Sequence, residues 1–280
     1  MREEHDLRGT IALVTGAARG QGRAVVLSLA LRGATVWATD LCAPSGTAPY
    51  PLAGANDLEE TARLARSVGG ECHTTELDVR DPEAVNWLVD HITDTSSAVG
   101  ILVTCAGIVG YAPTAELTDS QWADMIATNL TGTFHCVRAV LPGMAAQRSG
   151  RIVAISSMSG RQGTPHLAHY SASKWGVIGL IKSVALEYAE RGVTANVVCP
   201  TNVDTPMLHN PALYSLFAPD LESPTRQEVE PRYASMSPMR IPWSPPEAIA
   251  DAVDHLVGDS GSYVTGSVLD VGMGSAARMP

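Results

Sequence analysis

Apolar runs too short to be helices recur along this chain, separated by helix-length segments. The runs are Thr10–Thr15, Thr35–Asp40, Ile101–Cys105, Arg151–Ile155, Thr194–Cys199 and Ser267–Val271, and Glu71–Asp78 is read as a further strand, the third in order. Helical patterns lie between them. One covers Gly22–Arg32. A second is read as capped by Asn56 with Glu59 at the third helical position. Asp81-Pro82 opens a third, and Thr118 with Gln121 caps a fourth. Tyr170–Glu190 lies in a long helix, and Ser244-Pro245-Pro246-Glu247 starts another. Strands without polar alternation are buried on both faces, which requires a parallel sheet covered by helices. The expected fold is α/β: a Rossmann-like, doubly wound parallel sheet of about seven strands, with ligands at the strand carboxyl ends.

No composition shift or internal repeat divides residues 1–280, so one domain is expected. Hydrophobic residues make up 45% and charged residues 17%, as in a globular protein. The formal net charge of −10 argues against nucleic acid or an anionic membrane as partner. No apolar run approaches the roughly 20 residues that span a bilayer. Met1–Gly9 is charged and lacks the apolar core of a signal peptide. Cys42, Cys72, Cys105, Cys136 and Cys199 are scattered and form no Cys-x-x-Cys pair. That pattern fits free thiols in a reducing cytoplasm and no metal site.

Two segments interrupt the alternation. Leu41–Asn56 is a Pro/Gly-rich insertion between a strand and a helix. Residues 201–243 form a longer irregular stretch, rich in proline yet also carrying Met207, Leu208, Tyr214, Phe217 and Tyr233. That apolar content disfavours disorder, and a substrate lid is the expectation.

After the first strand, Gly16-Ala17-Ala18-Arg19-Gly20-Gln21-Gly22 leads into a helix. Glycines there let backbone approach a pyrophosphate, and the helix N-terminus offers free N–H groups. Asp40, ending the second strand, would accept from ribose hydroxyls and repel a 2′-phosphate, so NAD is favoured over NADP. Arg19 pulls the other way. Asp78, ending the third strand beside Val79, either meets an adenine or serves a turn. Cys105-Ala106-Gly107 either runs beside a cofactor or serves close packing.

Tyr170 and Lys174 are four residues apart on a predicted helix and so share a face. An ammonium near a phenol favours the phenolate and makes tyrosine a usable acid or base. Ser157 could hold a substrate oxygen against that phenol. His166 and His169 flank Tyr170 as pocket wall or surface. Trp175 reads as packing, and Asp204 and His209 as pocket rim or solvated loop.

Taken in order, the glycine turn, Asp40, Asn129, Ser157, Tyr170 and Lys174 resemble the short-chain dehydrogenase/reductase family, over residues 8–274. The resemblance implies that Ser157 orients substrate, Tyr170 is the acid/base, Lys174 activates it and binds the nicotinamide ribose, and Asn129 supports a water relay. It places the dinucleotide against Gly16, Ala18, Arg19, Gly20, Gln21, Gly22, Asp40, Leu41, Asp78, Val79, Cys105, Ala106 and Gly107. Val203 and Thr205 then contact the nicotinamide carboxamide, with Pro200 beside the cofactor. Cys105 stands where the family carries Asn, and Thr201 where it carries Gly. Gly-Gln-Gly, the 41–56 insertion and Pro200-Thr-Asn-Val-Asp-Thr-Pro-Met207 further resemble mycofactocin-associated, carveol-dehydrogenase-like members. That implies an insertion folded over a slowly exchanging NAD, an external electron acceptor, a hydrophobic secondary alcohol or ketone, and a homotetramer. A non-catalytic NAD-binding sensor, or an epimerase or dehydratase, is compatible with the same fold.

Overall fold

The computed structural model describes residues 6–278, so the first five residues of the charged N-terminal segment lie outside them. The strands are β1 Ile11–Thr15, β2 Thr35–Asp40, β3 Glu71–Glu76, β4 Ile101–Thr104, β5 Gly150–Ile155, β6 Val193–Pro200 and β7 Val268–Val271. They pair in the order β3-β2-β1-β4-β5-β6-β7, every pair parallel. The chain winds outward from β1 to β3, then returns to β4 beside β1. This reversal opens a crevice at the carboxyl ends of β1 and β4.

The helices are α1 Gly20–Leu31, α2 Ala55–Ser67, α3 Pro82–Thr95, α4 Asp119–Ile126, α5 Gly132–Gln147, α6 Ala168–Tyr188, α7 Pro211–Phe217, α8 Arg226–Met236 and α9 Glu247–Val257. Side chains alternate across each strand, so two apolar layers form. Ala12 and Val14 of β1 pack with Val25 and Leu29 of α1, Ala62 of α2 and Val253 of α9. Ile11 and Leu13 pack on the other face with Leu88 of α3, Val137 of α5 and Ile181 of α6. The α6 stripe Val177–Ile181–Val184 is therefore core.

Local signals set the helix starts. Asp81 Oδ1 accepts from Glu83 and Ala84 N–H at 2.9 and 3.1 Å, with Pro82 in the first turn. Thr118 and Gln121 exchange reciprocal bonds. The Asn56–Glu59 cap does not form. Asn56 lies inside α2, and the N-cap is Gly54, whose N–H donates to Asp57 at 2.9 Å. Glu59 instead accepts from Thr74 on β3 at 2.6 Å. The start is closed locally by Gly54 and Asp57, and Arg23 of α1 binds the Asp57 carbonyl at 2.8 Å.

Residues 201–243 are not irregular throughout, because they contain α7 and α8. Both were signalled locally, by the Asn210-Pro211 cap and by the Thr225–Glu228 capping box. Prolines masked these signals. The segment builds a small core of its own from Leu208, Leu213, Tyr214, Val229 and Tyr233. Its ends meet where Val203 pairs with Ser244. Among the described residues, no helix is long and apolar enough to cross a membrane.

Candidate active site

The glycine turn follows β1 and crosses the crevice. Gly16 adopts φ +65°, and a Cβ there would lie 2.6 Å from the Ala106 nitrogen. A Cβ on Gly22 would lie 2.1 Å from the Gly16 carbonyl oxygen. Neither position tolerates a side chain, and the turn is held flat against the β4 exit. Ala18 does not line the resulting cavity; its N–H donates to Asp40 Oδ2 at 3.0 Å. That bond aims the Asp40 carboxylate along the cavity wall. Burial raises the Asp40 pKa, while N–H groups of Ala18, Cys42 and Leu41 pull it back. Gly16, Gly20, Gly22, Leu41, Val79 and Ala106 line this first cavity. So do Arg19, Gln21, Asp78, Cys105, Gly107, Tyr170, Lys174 and Thr205. The Asp78 side chain is committed to Arg80, which grips it through Nε and Nη2. Burial pushes that carboxyl up, but Arg80 outweighs it and holds the pKa below the usual range.

The 41–56 insertion lies along this cavity as a strap. Arg19 Nη2 donates to the Pro51 carbonyl at 2.6 Å. Tyr50 is buried, and its hydroxyl accepts from Val109 N–H at 3.2 Å. Asp124 of α4 clasps the strap. Its Oδ2 accepts from Ser45 at 3.1 Å and from the Thr47 hydroxyl, and its Oδ1 binds Arg80 at 2.7 Å. Ser45, Tyr50, Arg80 and Asp124 all line the cavity, and sequence reasoning missed them as site residues. Tyr50-Pro51-Leu52 was visible as an apolar tip within the insertion; nothing local marks Asp124.

Ser157 follows β5, and Tyr170 and Lys174 lie on α6. Ser157 Oγ accepts from Ser159 N–H at 3.1 Å, and the Ser157 hydroxyl lies near enough to Tyr170 to favour its phenolate. Lys174 Nζ donates to the Ile155 carbonyl at 2.9 Å and stands 5.7 Å from the Tyr170 ring centroid. The expected dominance of Lys174 over the phenol is not what this geometry gives. Burial pushes Tyr170 up to about 12, and the nearby Ser157 hydroxyl only partly offsets it. Burial likewise brings Lys174 down to about 8. Desolvation dominates both groups, and the ammonium is turned to the Ile155 carbonyl.

Asn129 sits in a π-helical turn between α4 and α5, behind Lys174. Its Oδ1 accepts from Ile108 N–H at 2.8 Å, and its Nδ2 donates to Ile108 O at 3.0 Å and Ser173 Oγ at 3.1 Å. It staples the β4 exit to α6. A Cβ on Gly107 would meet Asn129 Oδ1 at 3.2 Å and Lys174 Nζ at 3.6 Å, so the two residues converge there. Burial pushes the neighbouring Cys105 thiol up to about 12.

A second cavity adjoins the first. Ser157, Pro200 and Val203 line it, with Tyr111, Leu167, Leu208, Leu213 and Phe217 supplying apolar wall. Gln21, Ser156, Tyr170, Thr205 and Met207 line both cavities. His169 is neither pocket wall nor surface: it is 1% exposed and packs near Gly110, because one residue along α6 turns it about 100° from Tyr170. Trp175 is 52% exposed and is not packed within the chain. Asp204 and His209 bind each other at 2.8 Å and lie within the 201–243 segment, lining neither cavity. Among the described residues, no group of His, Cys, Asp or Glu is placed to hold a metal ion.

Residues 10–212 match the family model for short chain dehydrogenases. A (−)-trans-carveol dehydrogenase of Rhodococcus erythropolis is 37% identical over 274 residues, covering 97% of this chain and 99% of the relative. An uncharacterized NAD-dependent oxidoreductase of Mycobacterium tuberculosis is 38% identical over 275 residues, 96% of each chain. The crystal structure of carveol dehydrogenase from Mycobacterium avium in complex with NAD is similar at TM-score 0.94 and 38% identity, covering 98% of this chain and 99% of that one.

Proposed function

Because the chain belongs to the short-chain dehydrogenase family, we propose that it is an NAD-dependent oxidoreductase interconverting a hydrophobic secondary alcohol, terpenoid- or steroid-like, and its ketone. One observation carries this reading: Tyr170 stands where the two cavities join, and Ser157 lines the second beside it. The first cavity fits a dinucleotide. Its glycine cradle excludes side chains, and Asp40 offers a carboxylate to ribose hydroxyls while opposing a 2′-phosphate. The apolar second cavity fits the substrate, with residues 201–243 as its lid.

When bound, the dinucleotide supplies the hydride acceptor for alcohol oxidation. Ser157 and Tyr170 hold the alcohol oxygen between their hydroxyls. Tyr170 in its deprotonated form takes the hydroxyl proton as the carbinol hydrogen leaves as hydride, giving the ketone; ketone reduction runs in reverse. Lys174 stabilises the phenolate by charge and holds ribose oxygens. Asn129 positions Lys174, and a proton leaves Tyr170 past both. The strap slows nucleotide exchange, so an external electron acceptor regenerates bound NAD in place.

The test is direct. The purified protein is analysed by mass for retained nucleotide, and hydrophobic alcohols are added in a single turnover while NADH absorbance is followed. NADH appearing in wild type and not in Tyr170→Phe is expected. Full turnover in Tyr170→Phe would overturn the assignment.

A further inference from the structure

Gln21 occupies the turn between Gly20 and Gly22, and its side chain reaches the junction of the two cavities, opposite Tyr170. Its Oε1 is buried and accepts no hydrogen bond among the described residues. A buried acceptor without a donor is costly, and in folded proteins a ligand or ordered water answers most of them. Two neighbouring donors are committed elsewhere: the Thr205 hydroxyl donates to the Val203 carbonyl at 3.2 Å, and Ala18 N–H to Asp40 at 3.0 Å. The turn also touches Thr205: a Cβ on Gly20 would lie 3.0 Å from Thr205 Cγ2. Gln21 and Thr205 therefore flank one spot at the inner end of the first cavity.

We propose that Gln21 is a positioning residue whose Oε1 accepts a hydrogen bond from the carboxamide NH2 of the nicotinamide. This rests on the reading of the first cavity as the NAD site. The donor must come from the ligand, and the carboxamide is the N–H donor that a nicotinamide carries at this end. The substrate hydroxyl is already claimed by Ser157 and Tyr170. An amide acceptor here limits rotation of the nicotinamide ring and presents one face to the substrate cavity.

The test compares wild type with Gln21→Met, which keeps length and removes the acceptor. Nucleotide-stripped protein is titrated with NADH and with its 3-acetylpyridine analogue, where a methyl replaces the carboxamide NH2, following tryptophan fluorescence. Wild type is expected to favour NADH, and Gln21→Met to reduce that preference by about fivefold to tenfold. The stripped variant is expected to melt no lower than wild type, because an unpaired buried oxygen has been removed. An unchanged preference would overturn the proposal, as would equal weakening of both ligands or a large fall in melting temperature. If wild type binds neither dinucleotide, the NAD reading itself falls; if it binds NADH and Gln21→Met keeps the preference, only the role of Gln21 falls.

Discussion

Tyr170 and Lys174 are each pushed toward the neutral form by burial, Tyr170 up to about 12 and Lys174 down to about 8. For Lys174 the folded pKa lies below the unfolded value of 10.5, so the unfolded chain binds more protons between about 8 and 10.5. Stability of the nucleotide-free protein from this group therefore rises with pH across that window. Below it, a buried ammonium weighs on the folded state. In thermal melts from pH 7 to 10, the stability of wild type relative to Lys174→Met should rise with pH, since the difference isolates this group. For Tyr170 the folded pKa is raised, so its contribution is present below about pH 10 and lost as pH climbs toward 12. In catalysis, Tyr170→Phe is expected to lower kcat by about 100-fold to 10,000-fold. Retained nucleotide, measured by mass, should be unchanged. At the turn, Gly22→Ala would force a Cβ to 2.1 Å from a carbonyl oxygen. Overpacking of this kind costs about 1–3 kcal/mol, read from the denaturation midpoint, with nucleotide lost from the purified protein.

The strap is the element that distinguishes this crevice. It is tied at both sides of the cavity, by Arg19 to Pro51 and by Ser45 and Thr47 to Asp124. Hydrogen bonds to a charged group contribute about 1.5–3 kcal/mol each when shielded, and Asp124 is only 14% exposed. Removing both hydroxyls in Ser45→Ala/Thr47→Val leaves the Arg80–Asp124 pair in place. Release of bound nucleotide, followed by exchange with labelled NAD, should accelerate at least tenfold with little change in overall melting temperature. An unchanged rate would mean that the strap does not gate the cofactor. The 201–243 segment differs in kind: it carries its own small core and staples its ends at Val203 and Ser244.

At the scale of the whole molecule, the sheet and its two layers hide most large apolar side chains, but not all. Trp122 of α4, Phe134 of α5 and Trp175 of α6 are 47%, 40% and 52% exposed. We propose that the homotetramer expected from the family resemblance covers them. Light scattering should give four chains for wild type and fewer for Trp175→Asp with the fold retained. A wild-type monomer would remove the tetramer.

Period and local chemistry determined much of this protein. Uninterrupted strand runs forced the parallel sheet, the glycine spacing marked the crevice turn, and the four-residue step brought Tyr170 and Lys174 to one face. Caps at Asp81 and Thr118 formed as written, while Asn56 did not, because Asp57 caps the N–H of Gly54, two residues before Asn56 in the chain. Tertiary structure alone decided the rest. The strap closes on Asp124, which lies 79 residues from Ser45 with no local pattern to join them. The Tyr170 shift is set by burial, and burial is a property of packed neighbours that no spacing encodes. Gln21 is a polar residue in a turn until the two cavities meet around its oxygen.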